Sequence, residues 1–105
     1  MALKKALLSS VLYDVRDPLF IDLIVPNAPL EQLSTGHLWT EGPVWLADQQ
    51  CLLFSDIPNN RILRYSIDGQ ISVYRSQSHF ANGHTRDHLG RLISCEHGTR
   101  RIVRT

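Results

Sequence analysis

Cysteine is scarce in this chain. Cys51 and Cys95 are the only two, too few for a disulfide-stapled scaffold and without the C-x2-C spacing of a structural zinc site. Both lie in apolar runs, at residues 51–54 and 92–95. That is the setting of small buried hydrophobes, so two reduced core thiols are expected, and a disulfide only if the chain is exported. An excess of charge is also missing, because 11 basic side chains face 10 acidic ones for a net charge of +1. Such a balance predicts no nucleic-acid partner and no membrane-surface partner. The basic run at residues 100–104 is read as a strand with solvated arginines. No apolar stretch approaches the roughly 20 residues of a membrane span. No G-x-S-x-G elbow and no glycine-rich phosphate loop are present, which leaves serine-nucleophile and nucleotide chemistry without support. Lys4 and Lys5, followed by apolar residues 6–12, imitate the start of an export signal, but no small-x-small cleavage site follows. The expected location is cytoplasmic, with the periplasm second.

What is present is the composition of a folded domain. The chain has 105 residues, 43% of them hydrophobic and 20% charged, enough apolar surface for one core. Leu3, Leu7, Leu8 and Val11 follow a helical period, so residues 1–17 are read as a tail or short helix ending before Asp17-Pro18. Residues 20–25, rich in β-branched and aromatic side chains, are read as a strand. From Pro43 onward, short apolar or alternating runs are separated by polar turns. Val44-Trp45-Leu46 precedes the turn at Asp48. Residues 51–56 form a continuous apolar run, and residues 61–67 a third run. Asp68-Gly69 is a hairpin signal, and residues 71–75 alternate as an outer strand. Four short antiparallel strands joined by tight turns make one propeller blade.

The pattern then repeats. Leu52-Leu53 and Leu92-Ile93 are 40 residues apart, as are Asp56 and Glu96, and Arg61 and Arg101. A period of about 40–45 residues with four strands is that of propeller blades, and a non-repeating meander is the alternative. Upstream the register slips by one, so that Glu41 and Asn82 are 41 apart and occupy the same station on successive blades. Each would stand at the entrance of the first strand, the strand that lines a propeller's central channel. A carboxylate and a carboxamide oxygen there suit a hard divalent cation. Taken alone, Glu41-Gly42-Pro43 is also compatible with a solvated turn, and Asn82-Gly83 with a hairpin. Asp56 is expected to cap the turn at Pro58-Asn59-Asn60.

Several motifs in order resemble the senescence-marker-protein (regucalcin)/gluconolactonase family, and bacterial gluconolactonases in particular. They are E-G-P-V-W at 41–45, L-F-S-D-I-P-N-N-R-I at 53–62, A-N-G-H-T-R-D at 81–87 and G-R-L-I-S-C-E-H-G-T-R-R-I-V-R at 90–104. The resemblance implies an all-β fold, with residues 18–105 forming the N-terminal part of a six-bladed β-propeller, about one and a half blades. It implies hydrolysis of a sugar lactone with one divalent cation, Ca²⁺ first and Mg²⁺, Mn²⁺ or Zn²⁺ as alternatives. Glu41 then corresponds to the first metal ligand. Asn82 corresponds to the channel asparagine that holds metal or substrate, with Asp87 at the matching N-x4-D spacing. His84 and His97 are secondary candidates for substrate contact. The family's later asparagine and aspartate have no counterpart here, so no catalytic residue is assigned within this chain, and an inactive fragment is expected. Residues 20–25 would be the strand that closes the ring. The missing blades would come from a longer reading frame or from another chain. A non-catalytic propeller module is the alternative, and a related propeller acting on aryl esters or organophosphates keeps the fold with another substrate.

Overall fold

The computed structural model describes residues 13–25 and 28–105. The chain divides into two compact units, Met1–Gln32 and Leu33–Thr105. Of the residues read as a tail or short helix, 1–12 lie outside the described residues. Within the first unit, residues 20–25 are not a strand: a 3-10 helix spans Pro18–Leu23. Local end chemistry overrides the β-rich composition. Asp17 accepts a bond from the Leu19 amide at 2.9 Å, and Pro18 supplies a helix-compatible φ at the first position. No strand pairs with this segment among the described residues.

The second unit is all-β. Strands β1 (Thr40–Leu46), β2 (Cys51–Asp56), β3 (Arg61–Ser66) and β4 (Ile71–Ser76) form one antiparallel sheet, in sequence order. Strands β5 (Ala81–Arg86), β6 (Leu92–Glu96) and β7 (Arg101–Arg104) form a second. These are successive blades of a partial propeller. β4 is the outer strand, with five of its six residues exposed.

Neither glycine-containing motif is a turn. β1 runs through Gly42-Pro43: Glu41 pairs with Ser55, and the next pair is Val44 with Leu53. β5 does the same at Asn82-Gly83, between the Ala81–Glu96 and His84–Ser94 pairs. Each is a bulge, which tolerates a proline and re-aims the side chains beside it. The pairing also locates the one-residue slip. Val44 pairs with Leu53 and Thr85 with Ile93, so the first strands are offset by 41 and the second strands by 40. The difference lies in the hairpin. Residues 47–50 separate the Leu46–Cys51 pair, whereas only residues 88–90 lie between Asp87 and Arg91, whose amide-to-carbonyl bond is 3.0 Å.

The core lies between the blades. Leu46, Cys51, Leu53 and Ile62 of the first sheet pack with Ala81 and Leu92 of the second, and Val44 covers the edge. Burial of a Leu or Ile side chain contributes about 1.5–3 kcal/mol. Alternation along β2 does this: Cys51, Leu53 and Ser55 share one face, and all three are buried. Cys51 is the reduced core thiol expected. Cys95 is exposed, contrary to expectation. Its counterpart in the first blade is Ser55, 40 residues earlier, which is buried where the second blade packs; no sheet among the described residues covers that face of the second blade.

Asp56 is a clasp as well as a turn cap. Its Oδ1 accepts from the amides of Leu38 and Trp39 at 3.1 and 3.2 Å. Its Oδ2 accepts from Asn59 Nδ2 at 2.8 Å and from the Arg61 guanidinium at 2.9 and 3.2 Å. Burial pushes the carboxyl up, but the bonds from Asn59, Trp39, Arg61 and Leu38 outweigh it and hold its pKa at about 2. The second blade repeats the clasp more loosely, with Glu96 accepting from Arg101 at 3.3 Å and Thr99 at 3.4 Å.

Candidate functional site

The entrances of β1 and β5 meet at Gly42. This glycine has a φ of 61°, and a Cβ placed on it would overlap the Asn82 carbonyl oxygen and stand 2.9 Å from Gly83 Cα. Only a glycine in the left-handed region lets the two inner strands approach this closely. The bulges therefore carry Glu41 and Asn82 to equivalent stations on touching backbones, and both residues are exposed.

Their side chains line different cavities. Glu41 lines one of about 300 Å³, together with Ser34, His37, Thr40 and the aromatic residues Phe54 and Tyr65. Asn82 lines one of about 160 Å³ with His97, Trp39, Ile57 and Phe80. The structure thus brings together Asn82 and His97, two of the residues singled out in the sequence, and sets Glu41 apart from them.

His84 lines neither cavity. It is half-buried, with Nε2 2.7 Å from Ser55 Oγ and Nδ1 2.8 Å from Ser94 Oγ. Ser55 Oγ also donates to the Asn82 carbonyl at 3.1 Å. One assignment satisfies all three bonds. Ser55 spends its single proton on Asn82, accepts from His84 Nε2–H, and His84 Nδ1 accepts from Ser94. The neutral ring this requires agrees with a pKa lowered by burial and by the charge of Arg75. His84 therefore joins β2 of one blade to β6 of the next and, through Ser55, fixes the Asn82 backbone. His84 and His88 also stand at H-x3-H spacing, which brings two ligands together on a helix. Here His84 is on β5 and His88 is exposed in the turn that follows it, so the helical geometry that would bring the two together is absent.

Asp87 sits at the far end of β5 and closes the hairpin. It accepts from the amides of Leu89 and Arg91 at 3.0 and 2.9 Å and from Arg91 Nε at 2.7 Å. Burial raises its pKa, and the bonds from Arg91 and Leu89 more than reverse this.

His37 was not anticipated. Its Nε2 lies 2.6 Å from Ser34 Oγ, and its ring meets Phe54 edge-on at 5.4 Å. Its Nδ1 is buried without a hydrogen-bond partner, 4.0 Å from Asp56 Oδ2. This arrangement does not make an oriented serine nucleophile. Asp56 is already filled by five shorter bonds, and 4.0 Å is too long to fix the imidazole. Trp39 and Phe80 were also missed, although a signal for them existed: they are 41 residues apart, the offset already found for Glu41 and Asn82.

As donors for a divalent cation, Glu41 and Asn82 are right in kind, since both offer hard oxygens. They are too few for a closed site, and among the described residues no three His, Cys, Asp or Glu side chains converge on a metal position.

Residues 39–105 match the family model of the SMP-30/Gluconolactonase/LRE-like region. The chain is 29% identical over 91 residues to a gluconolactonase of Zymomonas mobilis subsp. mobilis, covering 74% of this chain and 26% of that protein. The X-ray structure of a protein assigned to the gluconolactonases superposes with a TM-score of 0.76 at 41% identity, covering 86% of this chain and 31% of the other. A gluconolactonase from Xanthomonas campestris, described as important in glucose secondary metabolic pathways, gives a TM-score of 0.68 at 38% identity, with coverage of 70% and 25%. The chain thus spans about a quarter to a third of the length of these relatives. Two blades with repeated bulges at their inner entrances, a glycine that lets those entrances touch, and a family match over residues 39–105 lead to one assignment: this chain belongs to the SMP-30/gluconolactonase family.

Proposed function

We propose that the chain supplies about one and a half blades at the N-terminal side of a sugar-lactone hydrolase and is inactive without further blades. The observation that carries this reading is that Glu41 and Asn82, 41 residues apart, stand at bulges near the entrances of successive inner strands, Glu41 just before its bulge and Asn82 within its own. The family match supports lactone hydrolysis as the reaction.

In this reading Glu41 contributes carboxylate oxygens to one divalent cation, Ca²⁺ first and Mg²⁺, Mn²⁺ or Zn²⁺ as alternatives, and Asn82, whose side chain lines a different cavity, would join it by turning across the meeting point of the two inner strands at Gly42. A cation held there would polarise the lactone carbonyl and acidify a bound water. The chain's own groups bind and orient. The Asn82 amide and His97 face a common cavity and take substrate hydroxyls. His84 acts from behind by way of Ser55, holding the Asn82 backbone still. Residues from other blades complete the ligand set and supply the general base.

Lactone hydrolysis with and without chelator is the test. The 105-residue chain alone is expected to show no chelator-sensitive turnover. Joined to the remaining blades of a similar gluconolactonase, it is expected to gain chelator-sensitive turnover that Glu41→Gln abolishes. Turnover of the joined protein that survives both chelator and Glu41→Gln sinks the metal assignment.

A further inference from the structure

The cavity of about 160 Å³ is built from matched pairs. Trp39 and Phe80 are 41 residues apart and Ile57 and His97 are 40 apart, the offsets of the first and second strands. Each blade gives the residue two places before its entrance station and the residue just after its second strand. The backbone ties match too, with the Ile57 amide bonding the Trp39 carbonyl at 3.1 Å and the His97 amide bonding the Phe80 carbonyl at 3.3 Å. Blade two adds Asn82. The cavity is therefore a seam that the propeller repeat itself generates, one aromatic side chain per blade.

The aromatic rings are held where burial alone would not leave them. Trp39 is 59% exposed and Phe80 40% exposed. Phe80 has a φ of 55°, a left-handed conformation that a bulky residue rarely adopts. Its amide is fixed by Asn60 Oδ1 at 2.9 Å. Its ring lies over Gly98, where an added Cβ would stand 3.2 Å from Phe80 Cδ2 and 2.9 Å from the His79 carbonyl. The fold spends strain to present this ring. The same cavity is lined by Asn82 and His97, whose side chains have no hydrogen-bond partner among the described residues.

We propose that Trp39 and Phe80 form a platform for the C–H face of a single sugar ring, while Asn82 and His97 bond its hydroxyls. Flat apolar walls with a few convergent polar groups are how a site recognises one hydroxylated ring. The inference rests on the sugar-lactone reading and deepens it: the platform is the subsite that selects a polyhydroxylated lactone over one without hydroxyls.

Titration of the ¹⁵N-labelled 105-residue chain with D-glucono-1,5-lactam, a ring that does not hydrolyse, is a direct test. The probe needs no metal and no turnover, so it is independent of the activity assay. Shifts are expected at the Trp39 indole and at the amides of Phe80, Asn82 and His97. Trp39→Ala and Phe80→Leu, the second keeping bulk, are each expected to weaken binding about three- to tenfold. Trp45→Ala, outside this cavity, is expected to leave binding unchanged. δ-Valerolactam, which lacks the hydroxyls, is expected to bind at least tenfold more weakly. Shifts at Asn82 and His97 that are indifferent to Trp39→Ala and Phe80→Leu overturn the platform and leave the sugar reading standing. Equal binding of both lactams through the aromatic pair overturns the sugar reading with it. No shift at any of the four residues overturns the platform.

Discussion

Blade one and blade two are built on the same register, yet equivalent residues have opposite surroundings. Ile62 is fully buried and Ile102, 40 residues later, is 70% exposed. Gly42 is pressed against Asn82, and Gly83, 41 residues later, has nothing within 4 Å of an added Cβ. Ser55 is buried and its counterpart Cys95 is not. In each pair the blade-one residue faces blade two, and the blade-two residue faces a side that no sheet covers among the described residues. Burial here is decided by the neighbouring blade, not by the residue's own sequence context.

The sharpest way to break this comparison is a pair of glycine substitutions. Gly42→Ala is expected to destabilise the second unit by about 3 kcal/mol or more, from positive φ and backbone overlap together. Gly83→Ala is expected to change stability by less than about 0.5 kcal/mol. Urea unfolding followed by tryptophan fluorescence measures both, and comparable losses at the two glycines would show that the blades are not asymmetric. Ile62→Ala and Ile102→Ala repeat the contrast with apolar surface. The first is expected to cost about 2–4 kcal/mol, and the second to fall within about 0.5 kcal/mol.

The carboxylate clasps sharpen the comparison. Asp56→Ala leaves Arg61 and two backbone amides without their acceptor and is expected to cost about 3 kcal/mol. Glu96→Ala removes longer bonds to an exposed arginine and is expected to cost about 1 kcal/mol. The Asp56 clasp also sets a pH dependence. Its folded pKa of about 2 lies below the ordinary 3.8, so its stabilisation is present above the ordinary value and is lost as pH falls from about 4 towards 2. Acid titration of the thermal midpoint is expected to show this fall in the native chain and to show it flattened in Asp56→Asn.

The smallest effect concerns the pair that straps the blades across their hairpins. Arg86 holds Asp48 in two bonds of 2.7 and 3.1 Å, with the carboxylate 59% exposed. The Arg86 bonds lower the Asp48 pKa against the opposing effect of burial. Arg86→Lys is expected to lower the thermal midpoint slightly, and by less at high salt, where the exposed pair is screened and only the Arg86 Nε bond to the Gly90 carbonyl at 3.0 Å is still lost.

Strand runs, hairpin signals and the 40-residue offset were legible because alternation and turn chemistry are local. The paired stations of Glu41 and Asn82 were legible for the same reason, once the offset was known. Residues 20–25 misled because their β-rich composition could not reveal that an aspartate and a proline would start a 3-10 turn there. His84 looked like a substrate contact from its spacing to Asn82. The bulge between Ala81 and His84 turns it towards Ser55 and Ser94, and no pattern in the sequence announces a bulge's side-chain directions.

The sequence by itself determined the repeat, the all-β class, the family and the identity of the two entrance residues. These follow from period and motif, which need only the order of residues. Tertiary structure alone decided that Cys51 is buried and Cys95 exposed, that Gly42 must be glycine while Gly83 need not be, and that Asn82 shares a cavity with His97 and not with Glu41. Each of those depends on which surface lies opposite, and that surface is supplied by residues some 40 positions away.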